Sequence, residues 1–198
     1  MIQPGVRFLP CGEFVNESER IAVERLRSKL QGAETSWILL SNLNHSPHPT
    51  SRSDEIDLVA IGPAGVYVIE IKHWDTAWLK QQSLTVVEQE ADRINAKAKR
   101  IAGKLRQRLD PGFVSARLLL TRGELRFEAS KRPQPRGVLV FGLPEWRELL
   151  ALDGPVRLTP EQVELAAKLV EPMVKVALSG ELRAFAGLIN LERLSDKT

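Results

Sequence analysis

The sequence has very little cysteine and no long apolar segment. Its 198 residues include a single cysteine, Cys11, so no internal disulfide can form and a reducing compartment is expected. No apolar run approaches the roughly 18 residues that a membrane-spanning helix needs, and the amino terminus has no apolar signal segment. These absences predict an intracellular, cytoplasmic protein that is neither exported nor inserted into a membrane.

The remaining composition is that of an ordinary globular protein, with 43% hydrophobic and 27% charged residues. The length suits one domain with a core, or one domain with an appendage. The net charge is only +3, but its distribution is uneven, because the segment from Asp92 to Arg136 contains 13 Lys and Arg against 4 Asp and Glu. This local excess predicts a surface that contacts a polyanion.

The stretch EIDLVAIGPAGVYVIEIK, residues 55–72, predicts a β-hairpin. Two apolar runs flank GPAG, in which proline and glycine favour a turn. Three charged residues interrupt these otherwise apolar strands: Asp57, Glu70 and Lys72. A charge in a buried strand is costly unless it is paired or bound to a metal, so these residues require an explanation.

Strand periodicity predicts that the three charges converge. Glu70 and Lys72 are two residues apart and therefore lie on one face of the sheet, and pairing across the turn can bring Asp57 to that face. Two carboxylates suit Mg²⁺ or Mn²⁺, and the lysine can polarise a water molecule or stabilise negative charge on a phosphate. The alternative is a salt-bridged hairpin at the edge of a sheet.

The same stretch, continued by His73 and Trp74, resembles the nuclease-related domain family, a branch of the PD-(D/E)xK nuclease superfamily. An aspartate, a G-x-x-G turn and E-x-K-x-W carry the resemblance, which is dense from about Asn16 to Leu109. It implies an α/β, restriction-endonuclease-like fold with an αβββαβ core and a mixed central sheet of about four or five strands flanked by helices.

The expected boundaries follow from this fold and from the local patterns. Residues 1–15 form an irregular lead-in, residues 16–150 form the nuclease-related core, and residues 151–198 form a C-terminal helical part. The segment 78–79 predicts a short hairpin with 84–87, and later helices are predicted from Thr159 onward and over 181–194.

The resemblance also implies roles for the hairpin residues. Asp57, Glu70 and the carbonyl of Ile71 would hold Mg²⁺ or Mn²⁺. Lys72 would orient or activate the attacking water. The catalytic centre implied is therefore Asp57, Glu70 and Lys72, with a divalent cation as cofactor.

A helix that begins after Asn16 carries a further candidate. Glu19 matches the family's glutamate on the first helix, which points into the active site and would help bind metal-coordinated water. Glu19 also follows Asn16 by three residues, as in a capping box, and both interpretations are open. Glu17 is the alternative candidate.

A long helix over 88–109 carries a basic face. Related domains have an N-P-x-x-Q-like segment there, and Asn95–Lys99 corresponds to it with Lys99 at the Gln position, where it would contact the scissile phosphate. An ordinary solvated face is the alternative. Nucleic-acid contacts are predicted for Lys97, Lys99, Arg100 and Lys104.

The predicted function is that of a metal-dependent DNA endonuclease that holds the backbone without reading bases. The alternative is a non-catalytic accessory module that binds nucleic acid or a protein partner within a larger bacterial defence or signalling protein, such as a phage-defence kinase. The predicted partners are DNA and, in a longer chain, further domains.

Overall fold

A computed structural model describes residues 4–44, 55–81, 84–110 and 113–171 of the chain. Six strands within these ranges form one sheet in chain order. The strands are β1 Gly5–Pro10, β2 Ser36–Asn44, β3 Glu55–Gly62, β4 Gly65–Lys72, β5 Val114–Leu120 and β6 Leu139–Gly142. The helices are α1 Glu17–Leu30, α2 Thr76–Gln81, α3 Leu84–Leu105, α4 Trp146–Leu149 and α5 Pro160–Val170.

The sheet is mixed. The pairs β2–β3 and β3–β4 are antiparallel, whereas the pairs β1–β2, β4–β5 and β5–β6 are parallel. This confirms the predicted α/β architecture of the restriction-endonuclease type. The sheet has one more strand than expected, because β1 lies within residues 1–15, where an irregular lead-in was predicted, and pairs with the edge of β2.

Helices cover both faces of the sheet. On one face, alternate residues of β2, β3 and β4 pack against α3 and α5, including Ile38, Leu40, Val59, Ile61, Val66 and Val68. On the other face, the intervening residues pack against α1 and α4, including Leu39, Leu58, Ala60, Tyr67, Ile69 and Ile71. Within the described ranges, no helix is both long and apolar enough to cross a bilayer.

The predicted hairpin is confirmed as β3 and β4, joined through Pro63 and Ala64. Gly65 has a φ of 145°, and a Cβ added there would lie 2.6 Å from the backbone oxygen of Phe113. Only glycine accepts this backbone conformation and this close approach without strain. The turn therefore depends on the glycine that ends the G-x-x-G pattern.

Replacing Gly65 with alanine is expected to lower the free energy of unfolding by about 1–2 kcal/mol, because both the φ angle and the contact with Phe113 become strained. Urea unfolding followed by circular dichroism measures the change. Gly103→Ala is the control, since a Cβ at that position in α3 meets no atom within 4 Å and alanine favours the helix. Equal stability of the two variants would contradict this account of the turn.

The ladder between β2 and β3 is interrupted beside Asp57. Pairing skips the position where Asp57 would oppose Asn42, and Asn42 has a φ of 53°. The alternation of side chains between the two faces of the sheet changes phase there. Leu43 and Ile56 pack on the α3 and α5 side, where regular alternation along their strands would place them on the opposite face. Irregular pairing of this kind re-aims side chains and is common beside active sites.

One local prediction was wrong. The segments 78–79 and 84–87, expected to form a hairpin, belong to α2 and α3. Asp75 supplies the missing signal, since its Oδ1 accepts a hydrogen bond of 2.7 Å from the backbone N–H of Trp78 in the first turn of α2. Helix capping by Asp75 thus outweighs the strand propensity of Trp78 in α2, whereas Val86 and Val87 lie in the first turn of α3.

The last described helix, α5, begins as predicted. The backbone N–H of Gln162 donates to Thr159 Oγ1 over 3.3 Å, the Gln162 side chain accepts from the Thr159 N–H over 2.9 Å, and Pro160 occupies the first turn. The helix predicted over 181–194 lies outside the described residues.

Candidate active site

The hairpin brings Asp57 and Glu70 together. Leu58 pairs with Ile69 in the antiparallel register, so the next position along places Asp57 across from Glu70. The backbone N–H of Ile71 donates to Asp57 Oδ2 over 2.7 Å. The aspartate is thereby held beside the E-x-K segment, and not directed away from it.

Glu70 lies at the centre of a buried ionic cluster and is 5% exposed. Its Oε1 accepts a hydrogen bond of 2.9 Å from Lys72 Nζ, and its Oε2 accepts one of 2.6 Å from Lys97 Nζ. Lys72 Nζ also lies 3.3 Å from Glu90 Oε1. Acidic and basic groups therefore alternate in the order Glu90, Lys72, Glu70 and Lys97, and they connect α3 to β4.

Lys97 does not lie on the exposed face of α3, where it was predicted to contact nucleic acid. It is 6% exposed, and its ammonium group is committed to Glu70. Together with Glu90 it occupies the buried side of α3, where the spacing Glu90, Ile94, Lys97, Ile101 follows steps of four, three and four residues. Charges at buried helix positions were the signal from which both residues could have been assigned to the site.

The other predicted nucleic-acid residues lie elsewhere on this helix. Lys99, Arg100 and Lys104 are exposed. Asn95 donates from Nδ2 to the carbonyl oxygen of Arg136 over 3.0 Å. Lys97, two residues before the position that matches the family's Gln, is thus the α3 lysine that reaches the carboxylates.

The protonation states of the cluster follow from burial and charge. Burial, assisted by the neighbouring Glu70 carboxylate, raises the pKa of Asp57 to about 7. Burial also acts to raise the pKa of Glu70, but the ammonium groups of Lys97 and Lys72 overcome it and hold this pKa below its usual range. Burial opposes the charge on Lys72, yet Glu70, Glu90 and Asp57 raise its pKa, so Lys72 remains an ammonium ion at neutral pH.

The raised pKa of Asp57 predicts a pH-dependent stability. Between about pH 4 and pH 7 the Asp57 carboxyl keeps its proton in the folded protein but loses it in the unfolded chain. The contribution of Asp57 to stability therefore declines as the pH rises through that interval. Asp57→Asn removes the decline while its amide oxygen can still accept from Ile71. In EDTA, as the pH rises from 4.5 to 7.5, the unfolding free energy of the variant should increase by about 2–3 kcal/mol relative to that of the wild type.

Urea titrations at several pH values measure this difference. Asp92→Asn, an exposed substitution on α3, controls for the loss of one negative charge. A difference between Asp57→Asn and wild type that stays constant across the interval would contradict the raised pKa.

An open cavity of about 650 Å³ adjoins the cluster. The first turns of α1, the end of β4 and the residues after β4 line it, so that Glu19 and Lys72 share one cavity. Glu19 is 8% exposed and accepts a hydrogen bond of 2.6 Å from Asn16 Nδ2, in place of the predicted cap in which Asn16 would accept from the helix backbone. Glu17 also lines the cavity but is exposed and pairs with Arg20.

The residues that follow Lys72 form the rim of this cavity. His73 is exposed, and its Nδ1 lies 3.1 Å from Thr121 Oγ1. Trp74 stacks on Trp78 with ring centroids 4.0 Å apart. The sequence pattern identified Trp74, whereas its stacking partner could be recognised only once α2 was in place.

The donor set can be compared with the requirements of a divalent ion. Within the described ranges, no three His, Cys, Asp or Glu side chains gather as a metal-holding group. Mg²⁺ is typically held by one or two carboxylates together with water and substrate phosphate, and Asp57 and Glu70 supply two. The residues therefore fit a cation bound jointly with substrate, and do not form an all-protein cage.

These residues lie within a segment that matches a known protein family. A family model described as NERD, nuclease-related domain, matches residues 15–121, which is more than half of the chain and includes every member of the charged cluster. No curated protein and no solved structure matches the chain.

Proposed function

The chain belongs to the nuclease-related domain family, and from this we propose that it is a metal-dependent endonuclease that hydrolyses phosphodiester bonds in DNA. The observation that carries the proposal is the convergence of Asp57, Glu70 and Lys72, of which Lys72 lines an open cavity. Lys97 and Glu90, the other two members of the cluster, favour the charged forms of Glu70 and Lys72.

Asp57 and Glu70, with the carbonyl of Ile71, would hold Mg²⁺ or Mn²⁺. When bound, such an ion supplies positive charge to a phosphate oxygen and to the attacking water. Each oxygen of Glu70 accepts a hydrogen bond from one ammonium group, so a bound cation would either share these oxygens with Lys72 and Lys97 or displace one of the two lysines. A displaced lysine would then be available to a phosphate oxygen.

Lys72 acts as a hydrogen-bond donor in this proposal. Because its pKa is raised, it does not accept a proton at neutral pH, and its role is to orient the nucleophilic water and to stabilise negative charge at the phosphate. Glu19 lines the same cavity from α1 and would accept a hydrogen bond from a water molecule there.

The exposed basic residues of α3 would hold the DNA backbone. Lys99, Arg100 and Lys104 carry positive charge without any arrangement that reads base edges, so binding would be independent of sequence. Phosphate contacts release counterions, and affinity for DNA is therefore expected to fall by roughly tenfold or more between 50 and 200 mM salt.

Plasmid cleavage tests the proposal. Supercoiled plasmid and, separately, single-stranded circular DNA are incubated with the protein in Mg²⁺, in Mn²⁺ and in EDTA, and conversion to nicked or linear forms is measured. The expected result is cleavage with at least one of the two ions and none in EDTA. Equal background under all three conditions would contradict the nuclease proposal.

A non-catalytic role is the second candidate. It is favoured by one observation, namely that Lys72 and Lys97 already balance the charge of Glu70 without a cation. In this role the domain would bind nucleic acid or a partner as an accessory module of a larger bacterial defence or signalling protein. Retained DNA binding with no measurable binding of Mn²⁺ would favour this role over catalysis.

A further inference from the structure

A second cavity, of about 270 Å³, lies farther along α1. Arg25 and Lys29 line it from the helix, Arg126 and Glu124 from the segment after β5, and Trp146 from the start of α4. Three cations thus share the cavity with one carboxylate. Within the described part of the chain, none of the three cations forms an ion pair.

Residues at or after the ends of β4, β5 and β6 line the two cavities together with α1. β4, β5 and β6 run parallel, so their carboxyl ends meet at the same edge, where α/β proteins commonly bind ligands. The first cavity lies at the end of β4, and the second lies beyond the ends of β5 and β6. Adjacent strands are about 4.8 Å apart, so roughly 10 Å separates β4 from β6.

Helix α1 forms a common wall for both cavities. Ser18 and Ile21 line the first cavity, and Arg25 and Lys29 line the second. The spacing of three, four and four residues places these side chains on one stripe of the helix. Each step of four residues advances about 6 Å along the axis, so the stripe connects the catalytic cavity to the basic one.

We propose that the two cavities and the α1 stripe between them form a groove. This groove binds a single polynucleotide strand next to the phosphate to be cleaved. Arg25, Lys29 and Arg126 would contact its backbone phosphates, and the half-buried Trp146 would stack against an unpaired base. The volume of the second cavity suits one nucleotide-sized group and not a duplex. The inference extends the proposed nuclease function by assigning it a single-stranded substrate.

Fluorescence anisotropy in EDTA tests the groove without hydrolysis. The probes are a labelled 12-nucleotide single strand and the same sequence as a duplex. The test variant carries Arg25→Ala, Lys29→Ala and Arg126→Ala. The control variant carries Arg106→Ala, Arg108→Ala and Lys168→Ala, which removes three exposed cations outside the groove.

The test variant is expected to bind the single strand about tenfold more weakly than the wild type, with a salt dependence reduced by about two to three phosphate contacts. The control variant should stay within twofold or threefold of wild type. Equal losses in the two triple variants would overturn the groove. A wild-type preference for the duplex would overturn the assignment of a single strand.

These outcomes are independent of the plasmid experiment. Groove-dependent binding without cleavage of either the plasmid or single-stranded circular DNA would uphold the groove and contradict the nuclease. Cleavage with unchanged binding by the test variant would contradict the groove alone.

Discussion

Replacing Asp57 with asparagine, or Lys72 with alanine, is expected to reduce metal-dependent DNA cleavage by about a thousandfold or more. Asp57→Asn removes one of two carboxylates available to the cation while preserving the shape that accepts from Ile71. Lys72→Ala removes the ammonium group that Glu70, Glu90 and Asp57 hold in its charged form. The initial rate of plasmid nicking at saturating Mg²⁺ or Mn²⁺ measures both effects.

Matched substitutions outside the cluster separate loss of chemistry from loss of charge. Asp92→Asn on α3 and Lys168→Ala on α5 change the net charge by the same amounts at exposed positions, and both should cleave within about twofold of the wild type. Thermal unfolding confirms that each variant is folded. Cleavage by Asp57→Asn at more than a tenth of the wild-type rate would remove Asp57 from the catalytic centre.

Glu70→Ala is expected to lower the free energy of unfolding by about 3–5 kcal/mol at neutral pH, because it leaves buried ammonium groups without their partner. The Lys97 side chain is 7% exposed and has little access to water, whereas Lys72 keeps Glu90 within 3.3 Å. Most of the loss should therefore arise from Lys97. Urea unfolding in EDTA measures the change without interference from bound metal.

Two further variants test that explanation. Glu128→Ala breaks a pair with Lys131 whose side chains are 70% and 75% exposed, and it should cost less than about 1 kcal/mol. The double variant Glu70→Ala with Lys97→Met removes the unpaired charge and should recover at least half of the stability lost in the single variant. A double variant as unstable as Glu70→Ala would show that cavity formation, and not charge, causes the loss.

The hairpin and its charges were predictable because their signals are local. The turn between Gly62 and Gly65 follows from residues adjacent in sequence, and the two-residue period of a strand places Glu70 and Lys72 on one face. The start of α5 follows equally from Thr159 and Pro160. None of these conclusions required knowledge of a distant part of the chain.

The partners of the hairpin charges were not predictable in this way. Lys97 was grouped with Lys99 and Arg100 as part of an exposed basic face, although helical period places it on the same side of α3 as Ile94 and Ile101. Helical period does not, however, identify Glu70 as its partner. The structure turns Lys97 inward to Glu70. The strand β1 was missed for a related reason, since a short edge strand is defined by the β2 backbone with which it pairs.

The sequence by itself determined the hairpin, the positions of Asp57, Glu70 and Lys72 along it, and the membership in a nuclease-related family that these residues signal. Tertiary structure decided that α3 supplies Lys97 and Glu90 to these charges and that α1 lines two cavities. The physical reason is the distance along the sequence between the residues that interact. Turns and strand periods depend on neighbouring residues, whereas contacts between helix and sheet depend on the packing of elements distant in sequence.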